Sequence, residues 1–149
     1  QAQVLGVFDA KWVQPLAEVL RDLGCGHALV VHGSDGLDEI TLTGESQVSE
    51  LKNGKVTSYV IDPEKLGFKY CSSEDLKGGT PEENADIIHK LLNGVGGPRR
   101  DIVVLNSAAA IYVAGKADSI ELGIQLAIDA IESGKARDKL EALCRISHL

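Results

Sequence analysis

The first forty residues contain two short apolar runs separated by a segment of helical periodicity. Residues 4–8 (VLGVF) and 29–31 (LVV) are apolar and partly β-branched, which is typical of buried strands. Between them the apolar residues recur at helical spacing, with Asp9 as candidate N-cap, Gly24 at the end, and Pro15 as the expected cause of a distorted first turn. A strand, a helix and a strand of this length predict a right-handed βαβ unit with parallel strands.

After residue 40 the apolar period changes from that of a helix to that of a strand. Residues 47–51 and 56–61 alternate polar and apolar side chains, and Asn53-Gly54 lies between them. An Asn-Gly pair supplies the positive φ angles that a tight hairpin turn requires. The pattern predicts an antiparallel hairpin at the margin of the sheet, with one face exposed to solvent.

The second half of the chain has the pattern of helices. Thr80 and Glu83 have the spacing of a capping box, and Pro81 lies at the favoured first helical position. Two further amphipathic helices are expected to open at Asp118 and at Ala136. Together the elements predict the α/β class, with a central, mostly parallel sheet that carries an antiparallel hairpin and is surrounded by helices.

Residues 101–115 combine an apolar run with three consecutive alanines and predict a buried helix. This helix carries Asn106 among apolar neighbours. A buried amide must find hydrogen-bond partners, so Asn106 is either a structural link to a neighbouring loop or a site residue.

Composition and charge narrow the functional classes. The chain has 149 residues, a formal net charge of -7 and a pI near 5.0, which argues against binding to nucleic acid or to a membrane surface. No apolar run is long enough to span a membrane, and the three cysteines match no metal or redox spacing, as expected of a cytoplasmic protein. We expect one α/β domain over residues 1–149. Because the chain contains no methionine, we also expect it to be a piece of something longer.

The strongest candidate for chemistry follows the second strand. The turn-forming residues 32–36 end that strand, and Asp38 and Glu39 come directly afterwards, where open α/β sheets hold their ligands. Neighbouring carboxylates repel each other, so a divalent cation is the natural neutraliser, and oxygen ligands favour Mg²⁺ or Ca²⁺. A solvated acidic turn is the alternative interpretation of the bare pair. His32 could orient a ligand, but a structural histidine at a strand end is preferred.

Several segments in register resemble one family, the anthranilate phosphoribosyltransferases. VVHGSDGLDE, LKGGTPEENA, GPRRDIVVLN and AAAIYVAGKAD occur in this order and are similar to the C-terminal portion of these enzymes. The opening QVLGVFDAKWVQPLAEVLRDLG and the closing AIDAIESGKA fit the same family. Each motif alone is modest support, but together they span nearly the whole chain. No hydrolase, Walker, dinucleotide or zinc motif competes with them.

The resemblance implies an enzyme of tryptophan biosynthesis. Such an enzyme transfers phosphoribosyl from phosphoribosyl pyrophosphate to the anthranilate amine with Mg²⁺, and releases pyrophosphate. The family's acidic pair, which helps to hold magnesium, falls on Asp38 and Glu39. The resemblance also implies a two-domain enzyme that dimerises through a helical domain absent from this chain. The family's glycine-rich pyrophosphate loop and substrate-contacting residues precede Gln1, so no catalytic residue is assigned and the isolated chain is expected to be inactive.

Two alternatives to a transferase are open at this point. A pyrimidine nucleoside phosphorylase shares the architecture and also acts on a bond between ribose and phosphate, but the Asp-Glu pair after Asp35-Gly36-Leu37 favours the transferase. A non-catalytic relative that binds nucleic acid is the second alternative. The acidic balance of the chain argues against it.

Overall fold

The structure is a computed structural model that describes residues 1–147; His148, one of four dispersed histidines, and Leu149 lie outside the described residues. Four strands form a sheet in the order β1-β2-β3-β4. Their bounds are Ala2–Gly6, His27–Gly33, Ser46–Lys52 and Lys55–Ile61. β1 and β2 are parallel, whereas β2 with β3 and β3 with β4 are antiparallel.

The first three elements form the predicted βαβ unit. β1 begins and ends two residues earlier than the apolar run indicated, at Ala2 and Gly6. The Asp9 side chain accepts a hydrogen bond from the Lys11 N–H, and a 3₁₀ turn over residues 10–12 leads into α1, Val13–Asp22. Pro15 is the third residue of α1, where the missing N–H costs nothing because the first turn leaves its N–H groups unpaired. The expected irregularity therefore lies before α1, in the 3₁₀ turn.

The hairpin and the α/β class are confirmed, but the sheet is less parallel than expected. Asn53 and Gly54 have φ angles of 52° and 76° and make the tight turn between β3 and β4. Within the described residues, one of the three strand pairings is parallel. Parallel neighbours require a long crossover, usually helical. Residues 34–45 form a loop instead, so the chain returns antiparallel as β3.

Helices cover both faces of the sheet. The later helices are α2 to α6, with bounds Ser73–Leu76, Pro81–Leu92, Pro98–Val113, Ile120–Glu132 and Lys135–Ser147. Leu29 and Val31 of β2 pack against Leu105 of α4 on one face, and Val30 packs against Ala17 of α1 on the other. β2 is therefore buried on both sides, which explains its uninterrupted apolar sequence.

The predicted helix starts are mostly confirmed. Thr80 and Glu83 form both hydrogen bonds of the capping box at the start of α3. α5 is capped by Ser119, which accepts from the Leu122 N–H at 3.3 Å, so the expectation of Asp118 at that position is wrong by one residue. None of the described helices combines the length and the apolar character needed to cross a membrane.

Candidate metal centre

The candidate site lies in the loop between β2 and β3, residues 34–45, which we call the acidic loop. This loop starts at the carboxyl end of the parallel pair β1 and β2. Open α/β sheets bind ligands at this edge because the strand ends leave a crevice there. The acidic loop therefore lies at the sheet edge where the sequence placed it.

Asp35 shapes the acidic loop from within. Its carboxylate accepts hydrogen bonds from Thr41 Oγ1 at 2.6 Å, Thr43 Oγ1 at 2.7 Å and the Leu37 N–H at 3.1 Å. Partial burial raises the pKa of the Asp35 carboxyl, but these hydrogen bonds outweigh it, so the pKa lies below its ordinary value. Asp35 is thus committed to the loop structure.

Two contacts fix the loop on either side of the acidic pair. Asn106 of α4 accepts a hydrogen bond from the Ile40 N–H at 3.0 Å and donates one to the Ile40 carbonyl oxygen at 2.8 Å. On the other side Gly6, the last residue of β1, lies so close to Asp38 that a methyl group there would overlap the Asp38 carbonyl. The backbone of residues 38–40 is therefore held between β1 and α4.

Asp38 and Glu39 are the acidic pair, and both are exposed. Among residues 1–147 neither carboxylate accepts a hydrogen bond or forms an ion pair, although the backbone that carries them is fixed. Partial burial, and then the neighbouring Asp38 carboxylate, raise the pKa of Glu39. The two charges are thus held next to each other, and no counter-charge from the described part of the chain pairs with them.

The donor set fits Mg²⁺ better than a metal that needs a complete protein cage. No cluster of three or more His, Cys, Asp or Glu side chains able to hold a metal occurs within the described part of the chain. Ca²⁺ takes six to eight oxygen ligands, whereas Mg²⁺ usually keeps several waters and binds through one or two carboxylates plus substrate phosphates. Two free carboxylates at an open sheet edge match the second description.

The family model for "Glycosyl transferase family, a/b domain" matches residues 1–137. The chain belongs to this glycosyl transferase family. Anthranilate phosphoribosyltransferase of Methanobrevibacter smithii is 55% identical over 139 residues, which are 93% of this chain and 42% of the relative. The resemblance inferred from the motifs is confirmed.

Solved structures agree with this family membership. The crystal structure of anthranilate phosphoribosyltransferase from Thermus thermophilus superposes with a TM-score of 0.87 at 45% identity, over 95% of this chain and 42% of that one. The Saccharomyces cerevisiae enzyme in complex with PRPP and Mg has a TM-score of 0.84 at 23% identity, over 94% and 41%, and shows a shared fold alone. The chain spans about two fifths of the length of these relatives.

His32 has a structural role in this glycosyl transferase domain. Its Nδ1 donates a hydrogen bond to the Val7 carbonyl oxygen at 2.8 Å, which ties the chain leaving β1 to the end of β2. The preferred interpretation of His32 as a structural histidine is confirmed. Asn106 is likewise the structural link to a neighbouring loop that was one of its two expected roles.

Sequence reasoning missed Gly6 and the threonines of the acidic loop. Gly6 lies inside the first apolar run, and a glycine inside a strand can signal a close backbone approach. No local signal points to Thr41 and Thr43, because their partner Asp35 is reached only when the loop folds back on itself.

A second group of titratable side chains lies at the other end of the sheet in this glycosyl transferase domain. Glu50 of β3 accepts hydrogen bonds from Tyr112 Oη at 2.5 Å, His27 Nε2 at 3.0 Å and Tyr59 Oη at 3.2 Å. Lys52 Nζ donates to Tyr112 Oη at 2.9 Å. Burial raises the pKa of Glu50, but the three hydrogen bonds outweigh it and hold the pKa below its ordinary value. The Tyr112 hydrogen bond also fixes the last turn of α4 to the sheet.

Proposed function

We propose that this chain supplies the magnesium-binding part of an enzyme that transfers phosphoribosyl from phosphoribosyl pyrophosphate to anthranilate, with release of pyrophosphate. One observation carries the proposal. Asp38 and Glu39 lie at the carboxyl end of the parallel strands, and their carboxylates have no hydrogen-bond or ion-pair partner among residues 1–147. The names of the relatives and the PRPP and Mg of the yeast complex support this assignment.

Asp38 and Glu39 would hold the cation, and the rest of the acidic loop would keep them in place. Bound Mg²⁺ would stabilise the negative charge that develops on the diphosphate oxygens as the bond to ribose breaks. Asp35, through Thr41 and Thr43, fixes the fold of the loop so that the two carboxylates do not have to be ordered when the ligand arrives. We assign no catalytic residue to this chain.

We extend the proposal to the whole enzyme that contains this chain. It would be a homodimeric, cytoplasmic enzyme that binds no nucleic acid, in keeping with the net charge of -7. This chain would be one α/β domain of it. Because the chain spans about two fifths of its relatives, we expect the 149 residues alone not to turn over anthranilate.

A chimera tests the proposal. The chain replaces its matching segment in the Methanobrevibacter smithii relative, and consumption of anthranilate is followed with phosphoribosyl pyrophosphate and Mg²⁺. The double variant Asp38→Asn/Glu39→Gln should lower the rate about a hundredfold or more. The control Asp138→Asn/Glu141→Gln removes the same charge from exposed positions on α6 and should leave the rate within about twofold.

Three results of this assay would contradict the proposal. An inactive chimera that is folded would show that the chain cannot supply this part of the enzyme. An acidic-pair variant that keeps its Mg²⁺-dependent rate would remove the assigned role of Asp38 and Glu39. Phosphorolysis of pyrimidine nucleosides without transfer to anthranilate would favour the phosphorylase alternative.

A further inference from the structure

Asn106 uses its whole side-chain amide to hold one residue of the acidic loop. Oδ1 accepts from the Ile40 N–H, and Nδ2 donates both to the Ile40 carbonyl oxygen and, at 3.0 Å, to the carbonyl oxygen of Ile102 one turn earlier in α4. Both amide hydrogens are therefore used. The third hydrogen bond sets the orientation of the amide, so the donor and the acceptor face Ile40 in one arrangement only.

Both sides of this contact are anchored in the core. Ile40 is completely buried, and so is Leu105, the residue before Asn106. α4 packs into the core through Ala108 and Ala109 and is tied to the sheet at its end by Tyr112. The amide of Asn106 thus joins the acidic loop to a rigid helix rather than to another loop.

The acidic pair has no comparable anchor of its own. Within residues 1–147 the carboxylates of Asp38 and Glu39 contact no hydrogen-bond donor. The position of Glu39 is set by its neighbours in sequence, and Ile40 is the next residue. Gly6 limits the loop from the opposite side, but it offers only steric contact with Asp38.

We infer that Asn106 is the positioning residue of the acidic pair. By fixing both backbone groups of Ile40, it sets the course of the backbone from which Asp38 and Glu39 extend toward a cation. The inference rests on the proposed function of the pair. The role needs a donor and an acceptor in one side chain. Leucine at this position offers neither, and an ionised aspartate would direct an oxygen at the Ile40 carbonyl oxygen.

Binding of Mn²⁺ to the 149-residue chain provides a test that does not depend on enzymatic activity. Mn²⁺ shares the oxygen ligands of Mg²⁺, and electron paramagnetic resonance counts the free ion. Mn²⁺ binding that the wild type shows and the double variant Asp38→Asn/Glu39→Gln lacks is attributed to the site. Asn106→Leu and Asn106→Asp should weaken that binding about tenfold or more, as loss of a supporting hydrogen bond around a metal does.

Two variants on the same helix serve as controls. Ser107→Ala alters the adjacent residue, and Tyr112→Phe removes a hydrogen bond to Glu50 at the far end of α4. Tyr112→Phe should lower the melting temperature and leave Mn²⁺ affinity within about twofold. A residue that merely stabilises α4 would behave like Tyr112, so this comparison separates positioning from stability. Binding is measured at a temperature at which circular dichroism shows that all variants are folded.

Each result decides one of the two proposals. Folded Asn106 variants that bind Mn²⁺ as tightly as the wild type overturn the positioning role and leave the acidic pair intact. If the wild type binds no more Mn²⁺ than Asp38→Asn/Glu39→Gln does, both proposals fall. Should the leucine and aspartate variants not fold, Asn106→Gln decides instead. Its longer stem should displace the loop and weaken binding, and unchanged binding would overturn the inference.

Discussion

Glu39 and Glu50 lie near opposite ends of the same sheet and show two different uses of a carboxylate. Glu50 accepts three side-chain hydrogen bonds, and its pKa is lowered. Glu39 accepts none from the described residues, lies next to Asp38, and has a raised pKa. Both are the same residue type and both are partly desolvated. The supply of donors makes the difference.

The contrast distinguishes a carboxylate that stabilises the fold from one that is suited to bind a ligand. A carboxylate with several donors stabilises the native state in its ionised form, so its charge is already used. A carboxylate whose backbone is fixed but whose charge is unmatched is held in an unfavourable state, which is characteristic of ligand sites. The Glu50 end therefore stabilises the fold, whereas the Asp38–Glu39 end has the unmatched charge that the proposed cation site requires.

The largest effect on stability should come from adding a methyl group at Gly6, where β1 and the acidic loop are in close contact. Gly6→Ala places a methyl group where the Asp38 carbonyl lies, so either β1 or the acidic loop must move. We expect a loss of about 3 kcal/mol in the free energy of unfolding, measured by urea denaturation. Gly26→Ala is the control, because a methyl group there meets its nearest atom at an ordinary 3.5 Å. Equal stability of the two variants would mean that the close approach is not required.

Removal of Glu50 should cost somewhat less. Glu50→Ala leaves three donors without their acceptor at a mostly buried position, and we expect a loss of about 2 kcal/mol. Glu39→Ala, the matched change at the other end, removes no hydrogen bond to any residue that the structure describes. A variant of Glu39 as destabilised as that of Glu50 would contradict the contrast between the two ends.

The sequence was sufficient to predict the acidic pair at one end of the sheet, but not the Glu50 group at the other. Asp38 and Glu39 are adjacent in sequence and follow a clear strand, so local pattern was sufficient to place them. The Glu50 group combines side chains from β2, β3, β4 and α4, and nothing in the sequence brings these together. The same limit applied to the sheet, where local pattern found the strands but not the share of parallel pairing.

The pH dependence of stability offers a smaller but sharper comparison. Because the folded-state pKa of Glu50 is lowered, its ionised form stabilises the protein above its unfolded pKa, and this contribution is lost as the pH falls through the folded pKa. Glu39 has the opposite sign, because its raised pKa favours the folded state at low pH and that contribution is lost as the pH rises through the folded pKa.

Urea midpoints between pH 7 and pH 3 would test these signs. Between pH 7 and pH 3, Glu50→Gln should lose about 1 kcal/mol less stability than the wild type, because it lacks the ionised carboxylate that stabilises the fold at pH 7. Glu39→Gln should make the acid loss slightly steeper, because it removes a term that favours the folded state at low pH. Parallel curves for the two variants would show that the groups titrate alike.

The smallest effect on stability should come from the acidic pair. Asp38→Asn/Glu39→Gln removes repulsion between the two carboxylates and breaks no hydrogen bond within the described chain. We therefore expect the free energy of unfolding to rise by at most about 0.5 kcal/mol. Thermal melts of this variant are compared with those of Asp35→Asn, which should be destabilised because Asp35 accepts three hydrogen bonds in the same loop. A large loss in the pair variant would mean that these side chains have structural partners.

The carboxylates can report directly on cation binding. Carboxyl ¹³C resonances of Asp38, Glu39 and Glu50 are followed while Mg²⁺ is added to the 149-residue chain with inorganic diphosphate. The resonances of Asp38 and Glu39 should move together and saturate, while that of Glu50 stays in place. Resonances of the pair that do not move, or that move linearly together with the other exposed carboxylates, would contradict a magnesium site at the carboxyl end of this sheet.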